Sequence, residues 1–372
     1  MSLTNNQQAF FALLRAGLWE SEVQLSQFED IDYKEIYRLA EEQSVVGIVA
    51  AGIEHITDVK PPQQIALLFA GVAVQTEQRN RAMNEFLAGL TTQLRKDNIY
   101  AILVKGQGIA QCYERPLLRS AGDIDFFLEK ESYPAVKQFF DSISDKVEKE
   151  KPEILHQAYT IDSWEVELHG TLHSGLWNSV EKGLDNLQED TFKNEQVRIW
   201  RDGDFDILLP SANNDCIFIF THILQHFFKG GIGFRQICDW CRLLSTFKGS
   251  IDYSLLEHRL IKMGLMSEWK VFAALAVDYL GMSSADIPFY ENNKRWSSKA
   301  NRITSFIFNT GNFGHNIDRS YIFKHHFIIR KLITYKRELA DIMHHFFIFP
   351  KDSSLLIVKI TIGGISKLLR SC

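Results

Sequence analysis

Apolar residues recur at helical spacing through the first quarter of the chain. Phe10, Leu13, Leu14 and Leu18 predict one helix, and Leu39, Val46 and Ile48 a second. Pro61-Pro62 breaks the pattern. A further helix follows from Gln63 through Phe69, Val72 and Ala73 to Leu87, Leu90 and Leu94, with a kink allowed along it. Near Asn98 the texture changes. Ile99 to Val104 is a short apolar run with β-branched residues, as expected of a buried strand. Lys105-Gly106-Gln107-Gly108 reads as a turn, Ile109 to Tyr113 as a helical segment and Glu114 to Gly122 as a loop. Asp123 to Leu128 predicts the next strand, and Tyr133 to Phe140 a helix.

After the charged stretch Asp145–Glu153, His156–Ile161 and Trp164–His169 alternate as strands around an Asp162-Ser163 turn. Val197–Trp200 and Phe205–Leu209 flank Asp202-Gly203, a strong hairpin signal. Ser211 is placed as an N-cap, and helical patterns continue to the C-terminus. Strands confined between two helical blocks predict an α+β fold. The expected organisation is an N-terminal helical region 1–95, a mixed-sheet core 96–210 and a C-terminal helical region 211–372, without repeats or low-complexity linkers.

Composition refines this picture only slightly. Of 372 residues, 45% are hydrophobic and 27 are Phe, which favours a large filled core. A net charge of −5 argues against broad nucleic-acid binding, which needs a strong positive field. Nucleic acid is therefore not expected as a partner. Five cysteines without a secreted framework read as buried free thiols, including the Cys238-x-x-Cys241 pair. The N-terminus lacks the plan of a signal peptide, and no run is long enough for a membrane span. A cytoplasmic location is expected.

Chemistry concentrates in Gly122-Asp123-Ile124-Asp125-Phe126. On a strand, Asp123 and Asp125 share one face while Ile124 and Phe126 point into a core. Two converging carboxylates call for a cation, and hard oxygen donors suit Mg²⁺. Glu165, Glu167 and His169 alternate onto one face of a later strand, from which Glu167 can complete the metal site; Glu165 competes for that role. Lys105, Gly106 and Gln107, between a strand and a helix, are candidates for triphosphate contact through backbone and charge. Arg119 and Ser120 immediately precede the acidic strand, where Arg119 can meet a phosphate or pair with an aspartate.

Together, Lys105-Gly106, Arg119-Ser120-Ala121-Gly122-Asp123-Ile124-Asp125 and Glu167-Leu168-His169 resemble the uncharacterised nucleotidyltransferase family of the DNA polymerase beta-like superfamily. His222, His226, Arg235 and Asp239 extend the likeness downstream. The resemblance implies a small mixed sheet carrying the acids and two Mg²⁺. It also implies binding of ATP or another NTP, and transfer of an NMP to a hydroxyl or phosphate acceptor with release of pyrophosphate. Asp123 and Asp125 would hold both metals and Glu167 would complete the site, with Lys105, Gly106, Gln107, Arg119, Ser120 and His169 around the nucleotide. The chain departs from the family pattern in three ways: Gly106-Gln107 replaces Gly-Ser, seventeen positions separate Gly106 from Asp123, and the third carboxylate is Glu. The alternative is a non-catalytic nucleotide-binding or protein-interaction module on the same fold.

Two other clusters stand out. His222/His226 and Arg235/Asp239 each lie four apart on predicted helices, fit for hydrogen bonds or an ion pair closing the helical region onto the core, or for substrate contact. His173 allows the same two readings. Lys324-His325-His326, Arg330-Lys331, Lys336-Arg337 and His344-His345 make the C-terminal helices basic. This is either the solvated face of packed helices or a contact for a membrane surface or polyanion.

Overall fold

The computed structural model describes residues 3–203, 205–314, 316 and 327–369. The chain opens with α1 (Asn5–Trp19), α2 (Tyr33–Glu42), α3 (Val46–Glu54) and α4 (Gln63–Lys96). A capping box starts α1: Gln7 N–H donates to Thr4 Oγ1, and Thr4 N–H to Gln7 Oε1. Helices α1 and α3 cross at Gly17 and Gly52. A Cβ on Gly17 would stand 1.8 Å from the Ile48 carbonyl oxygen, and one on Gly52 2.0 Å from that of Leu13. Where one helix was expected around Leu39 to Ile48 there are two, because Ser44 turns the backbone to φ 56° between them. Helix α4 is a single 34-residue element.

The central segment carries β1 (Ile102–Val104), α5 (Gly106–Ala110), β2 (Ile124–Phe127), α6 (Tyr133–Ile143), β3 (Lys146–Val147), β4 (His156–Ile161), β5 (Trp164–His169), α7 (Asn178–Lys193), β6 (Val197–Asp202) and β7 (Phe205–Pro210). The expected turn at Lys105–Gly108 is already helical from Gly106. Helix α7 and the short strand β3 were not anticipated from the sequence pattern, because charged residues blur the periodicity of both segments. Strands β1 to β5 form one mixed sheet in the order β1-β2-β5-β4-β3, and β6-β7 is a separate hairpin. The fold is α+β, as the strand-between-helices pattern predicted.

Side-chain alternation divides the sheet between two cores. Leu103, Ile124, Phe126, Val166 and Leu168 face a core shared with Met83, Leu87 and Leu90 of α4 and Val136 and Phe140 of α6. Ile102, Val104 and Phe127 face the opposite way, into the larger core. That core is built with α8 (Ala212–Lys229), α9 (Phe234–Phe247), α10 (Tyr253–Met263), α11 (Met266–Asp278), α12 (Lys294–Thr310), α13 (Phe327–Phe346) and α14 (Pro350–Leu369). At its centre Phe220 meets Trp240 and Trp269 at ring-centroid distances of 5.4 and 4.9 Å. Each such ring contributes about 1.5–3 kcal/mol by burial.

Ser211 caps α8 as expected, its side chain accepting from Asn214 N–H. Cys112, Cys216, Cys238 and Cys241 are buried free thiols, whereas Cys372 lies outside the described residues. Among the described residues no helix is long and apolar enough to cross a membrane. Lys324, His325 and His326 lie outside the described residues, as do the side chains of Arg330 and Lys331. Of the remaining C-terminal basic positions, Lys336 and His344 are exposed and His345 is buried.

Candidate active site

Strands β2 and β5 run parallel with Asp125 directly opposite Glu167 and Phe127 opposite His169. Asp125, Glu167 and His169 therefore share the face that turns toward α8 and α9, and Asp123, two residues before Asp125, joins them. Donor atoms of Asp123, Asp125 and Glu167 lie within 4.8 Å of one another. Glu165, the competing candidate, is exposed and sits opposite Thr160, one strand repeat from this cluster.

The acids meet nitrogen groups of the chain itself. Lys105 Nζ stands 2.7 Å from Asp125 Oδ1. His169 Nε2 lies 2.8 Å from the same oxygen and 3.3 Å from Glu167 Oε2. His156 Nε2 is 3.0 Å from Glu167 Oε2. Burial opposes the Lys105 ammonium, but Asp125, Asp123 and Glu167 outweigh it and hold its pKa above the ordinary value. Burial likewise opposes the charge on Glu167, yet hydrogen bonds from His156 and His169 bring it far below the usual carboxylate range. Asp123 shifts the other way, pushed up by repulsion from Asp125 and then by burial. Lys105 reaches Asp125 from a strained backbone, φ 58° and ψ −147°, a conformation that costs roughly 1–3 kcal/mol in a non-glycine residue. The next residue, Gly106, has φ 39°, and a Cβ there would come within 3.3 Å of the Asp123 carbonyl oxygen.

These groups line a cavity of about 390 Å³, within the rough 300–1,000 Å³ range of ligand clefts. The opposite wall carries His222, His226, Arg235 and Asp239. His226 Nε2 and His222 Nε2 are 3.1 Å apart. Burial, then the nearby Lys105, lowers both imidazoles, His226 to about 4 and His222 well below its ordinary value. Both are neutral near pH 7.

Arg119 does not pair with either strand aspartate, and Asp239 does not take Arg235 as its main partner. Arg119 Nε and Nη2 donate to Asp239 Oδ1 and Oδ2 at 2.7 and 2.8 Å, and Tyr113 Oη donates to Oδ1 at 2.8 Å. The planar guanidinium fork matches a carboxylate better than an i,i+4 neighbour can from one helix. Arg235 Nη1 donates instead to the Ser120 carbonyl at 3.0 Å. Ser120 thus enters through its backbone, and its side chain is not among the groups lining the cavity.

Gln107 is 3% exposed and turns away from the cavity: its Nε2 donates to Asn84 Oδ1 at 2.8 Å on α4. The amide of Gln107 is consumed by packing α5 on α4, so only Lys105 and Gly106 of that turn face the cavity. His173 also lines the cavity and bonds Asp185 of α7 at 3.0 Å.

His156 was not anticipated as a site residue. Its signal is the two-residue Asp162-Ser163 turn. Pairing Ile161 with Trp164 across that turn carries His156 opposite His169.

A family model described as uncharacterised nucleotidyltransferase matches residues 29–281, well over half of the chain and all of the residues that line this cavity. No curated protein and no solved structure matches the chain.

Proposed function

The chain belongs to the uncharacterised nucleotidyltransferase family, and from that premise we propose that it moves an NMP from an NTP to a hydroxyl or phosphate acceptor, releasing pyrophosphate. The observation that carries this reading is the in-register pairing of Asp125 with Glu167, with Asp123 on the same face. Three mutually close oxygen donors, two on paired strands and Asp123 immediately before β2, fit one or two Mg²⁺ ions, which favour carboxylates together with substrate phosphates. Bound Mg²⁺ supplies charge neutralisation on the phosphates.

The remaining work falls to side chains of the cavity. Gly106 keeps the turn open beside Asp123, so that a phosphate can approach the backbone. With Mg²⁺ on the acids, Lys105, now paired with Asp125, would be free to turn to the triphosphate. Arg235 contributes positive charge from the far wall. The acceptor oxygen attacks the α-phosphorus, and the bond from that phosphorus to the bridging oxygen of the β-phosphate breaks. An acceptor hydroxyl loses its proton to a neighbouring carboxylate or to water; a phosphate acceptor needs no such transfer. The acidic chain disfavours nucleic acid as acceptor and favours a small molecule, glycan or protein side chain.

The test is Mg²⁺-dependent pyrophosphate release, or incorporation of labelled nucleotide, by the full chain. Loss of both in Asp123→Ala and Asp125→Ala is the expected result; a fully active double variant would refute the assignment. A second reading, nucleotide binding without turnover, draws on one observation. The site already neutralises Asp125 internally with Lys105 and His169. Tight NTP binding by calorimetry, with no turnover on any acceptor class, would favour it.

A further inference from the structure

Glu167 is reached by two imidazoles through the same atom type. His156 Nε2 and His169 Nε2 both approach its Oε2, at 3.0 and 3.3 Å. The two rings stand edge to face with centroids 4.8 Å apart, and all three donor atoms lie within 4.8 Å of one another. Ligands bonded to one ion at about 2.0–2.2 Å stand roughly 3 Å apart at right angles and about 3.4 Å apart at tetrahedral angles. The two observed separations fall at these values.

We propose that His156, Glu167 and His169 form a binding site for a borderline divalent transition-metal ion such as Zn²⁺, distinct in donor chemistry from the adjoining all-oxygen Asp123/Asp125 pair, whose Asp125 Oδ1 lies 2.8 Å from His169 Nε2. Imidazole nitrogen suits Zn²⁺, Fe²⁺ and Ni²⁺, whereas Mg²⁺ selects oxygen. The geometry is set by backbone rather than by flexible side chains. Strand register places His156 opposite His169, and Glu167 two residues from His169 on the same face. The side chains keep 11%, 27% and 18% exposure, so the trio is open to the cavity from which an ion would enter. Glu167 belongs to both donor sets and would bridge them, one carboxylate serving a soft-edged and a hard site together. An ion held here would fix the Glu167 carboxylate against its strand. The site rests on hairpin geometry alone and stands whether or not nucleotidyl transfer is the reaction.

The test is titration of the metal-stripped full chain with Co²⁺, read by its ligand-field absorption, and competition by Zn²⁺. One bound Co²⁺, displaced by Zn²⁺ but not by excess Mg²⁺, is expected. His156→Gln should weaken it by more than about tenfold, while Asp123→Asn leaves it unchanged. Equal affinity in wild type and His156→Gln would overturn the proposal, as would loss of binding in Asp123→Asn or displacement by Mg²⁺. An independent readout needs no variant. Zn²⁺ should shield His156 and His169 from diethyl pyrocarbonate, mapped by mass spectrometry, and absence of shielding counts against the site. Failure of pyrophosphate release with Co²⁺ binding intact would sink only the transferase reading.

Discussion

Arg119 and Asp239 form a two-point ion pair across the seam between the sheet and the helical region, with both side chains almost fully buried. The Arg119 segment is held from two further sides. Asn80 Nδ2 donates to the Leu117 and Arg119 carbonyls, and Arg235 to the Ser120 carbonyl. The loop that delivers the acidic strand is thereby tied to α4 and α9 together.

Removing one partner of this pair leaves a buried charge uncompensated. Asp239→Ala should cost about 3–5 kcal/mol, read as a lower denaturation midpoint. Arg119→Met likewise leaves the Asp239 carboxylate buried with only the Tyr113 hydroxyl donating to it, and should cost a comparable amount. Equal stability of Asp239→Ala and wild type would contradict the role given to the pair.

Asp123 separates function from stability better than Asp125 does. Asp125 neutralises Lys105, so its loss strands a buried ammonium. Asp123 is mainly repelled by its neighbour. Asp123→Asn should lower nucleotidyl transfer by at least ~10³-fold, equivalent to about 4 kcal/mol of transition-state stabilisation. Its melting temperature without added divalent ion should rise. A variant that is both inactive and less stable would mean that Asp123 is structural.

The α1–α3 crossing leaves no room for a methyl group, because the obstructing atoms are backbone carbonyls. Gly17→Ala and Gly52→Ala should each separate the helices and cost more than about 3 kcal/mol, at the upper end of overpacking penalties. Thermal melts of the two variants check this; Gly89→Ala, which meets nothing within 4 Å, is the control.

Stability should fall with rising pH through Glu268. This side chain, in the first turn of α11, is 2% exposed, and Asp352 at the start of α14 is 3% exposed. Burial, then hydrogen bonding and repulsion from Asp352, push Glu268 well above its ordinary value, with Lys299 of α12 acting weakly against them. A raised carboxyl pKa gives stability that is full below the unfolded value and is lost as pH rises through the folded one. Glu268→Gln should therefore melt higher than wild type near pH 8, by about 1 kcal/mol, and together with it near pH 4. Parallel melting curves across that range would refute the assignment.

Most of the acidic site was readable from local rules. Alternation at Asp123-Ile124-Asp125 and at Glu165-Val166-Glu167 assigned faces correctly, because a two-residue period survives any tertiary arrangement. Alternation alone put Glu165 and Glu167 on one face and left the choice to the family resemblance, which pointed to Glu167, because the register of two strands 42 positions apart decides it. Partners within a positive–negative pair were equally hidden. Arg119 found Asp239 over a separation of 120 residues, where spacing along one helix had suggested Arg235. Gln107 shows the same limit, because nothing near it announces Asn84 on α4. Helix α7 was missed for a local reason: its apolar positions, Val180, Leu184 and Leu187, are sparse among charges.

The two-faced sheet has a consequence for how the protein can fail. One residue inserted into the Asp162-Ser163 turn would slide β5 by a single step and exchange its two faces. Glu167 and His169 would enter the packing around Phe126 and Phe140, and Val166 and Leu168 would line the cavity. The same slip that erases the chemistry also buries charge in the smaller core, so the misaligned chain unfolds rather than persisting as a well-folded but miswired catalyst. Reading frame in the hairpin thus acts as an all-or-none checkpoint, linking survival of the molecule to correct assembly of its acids.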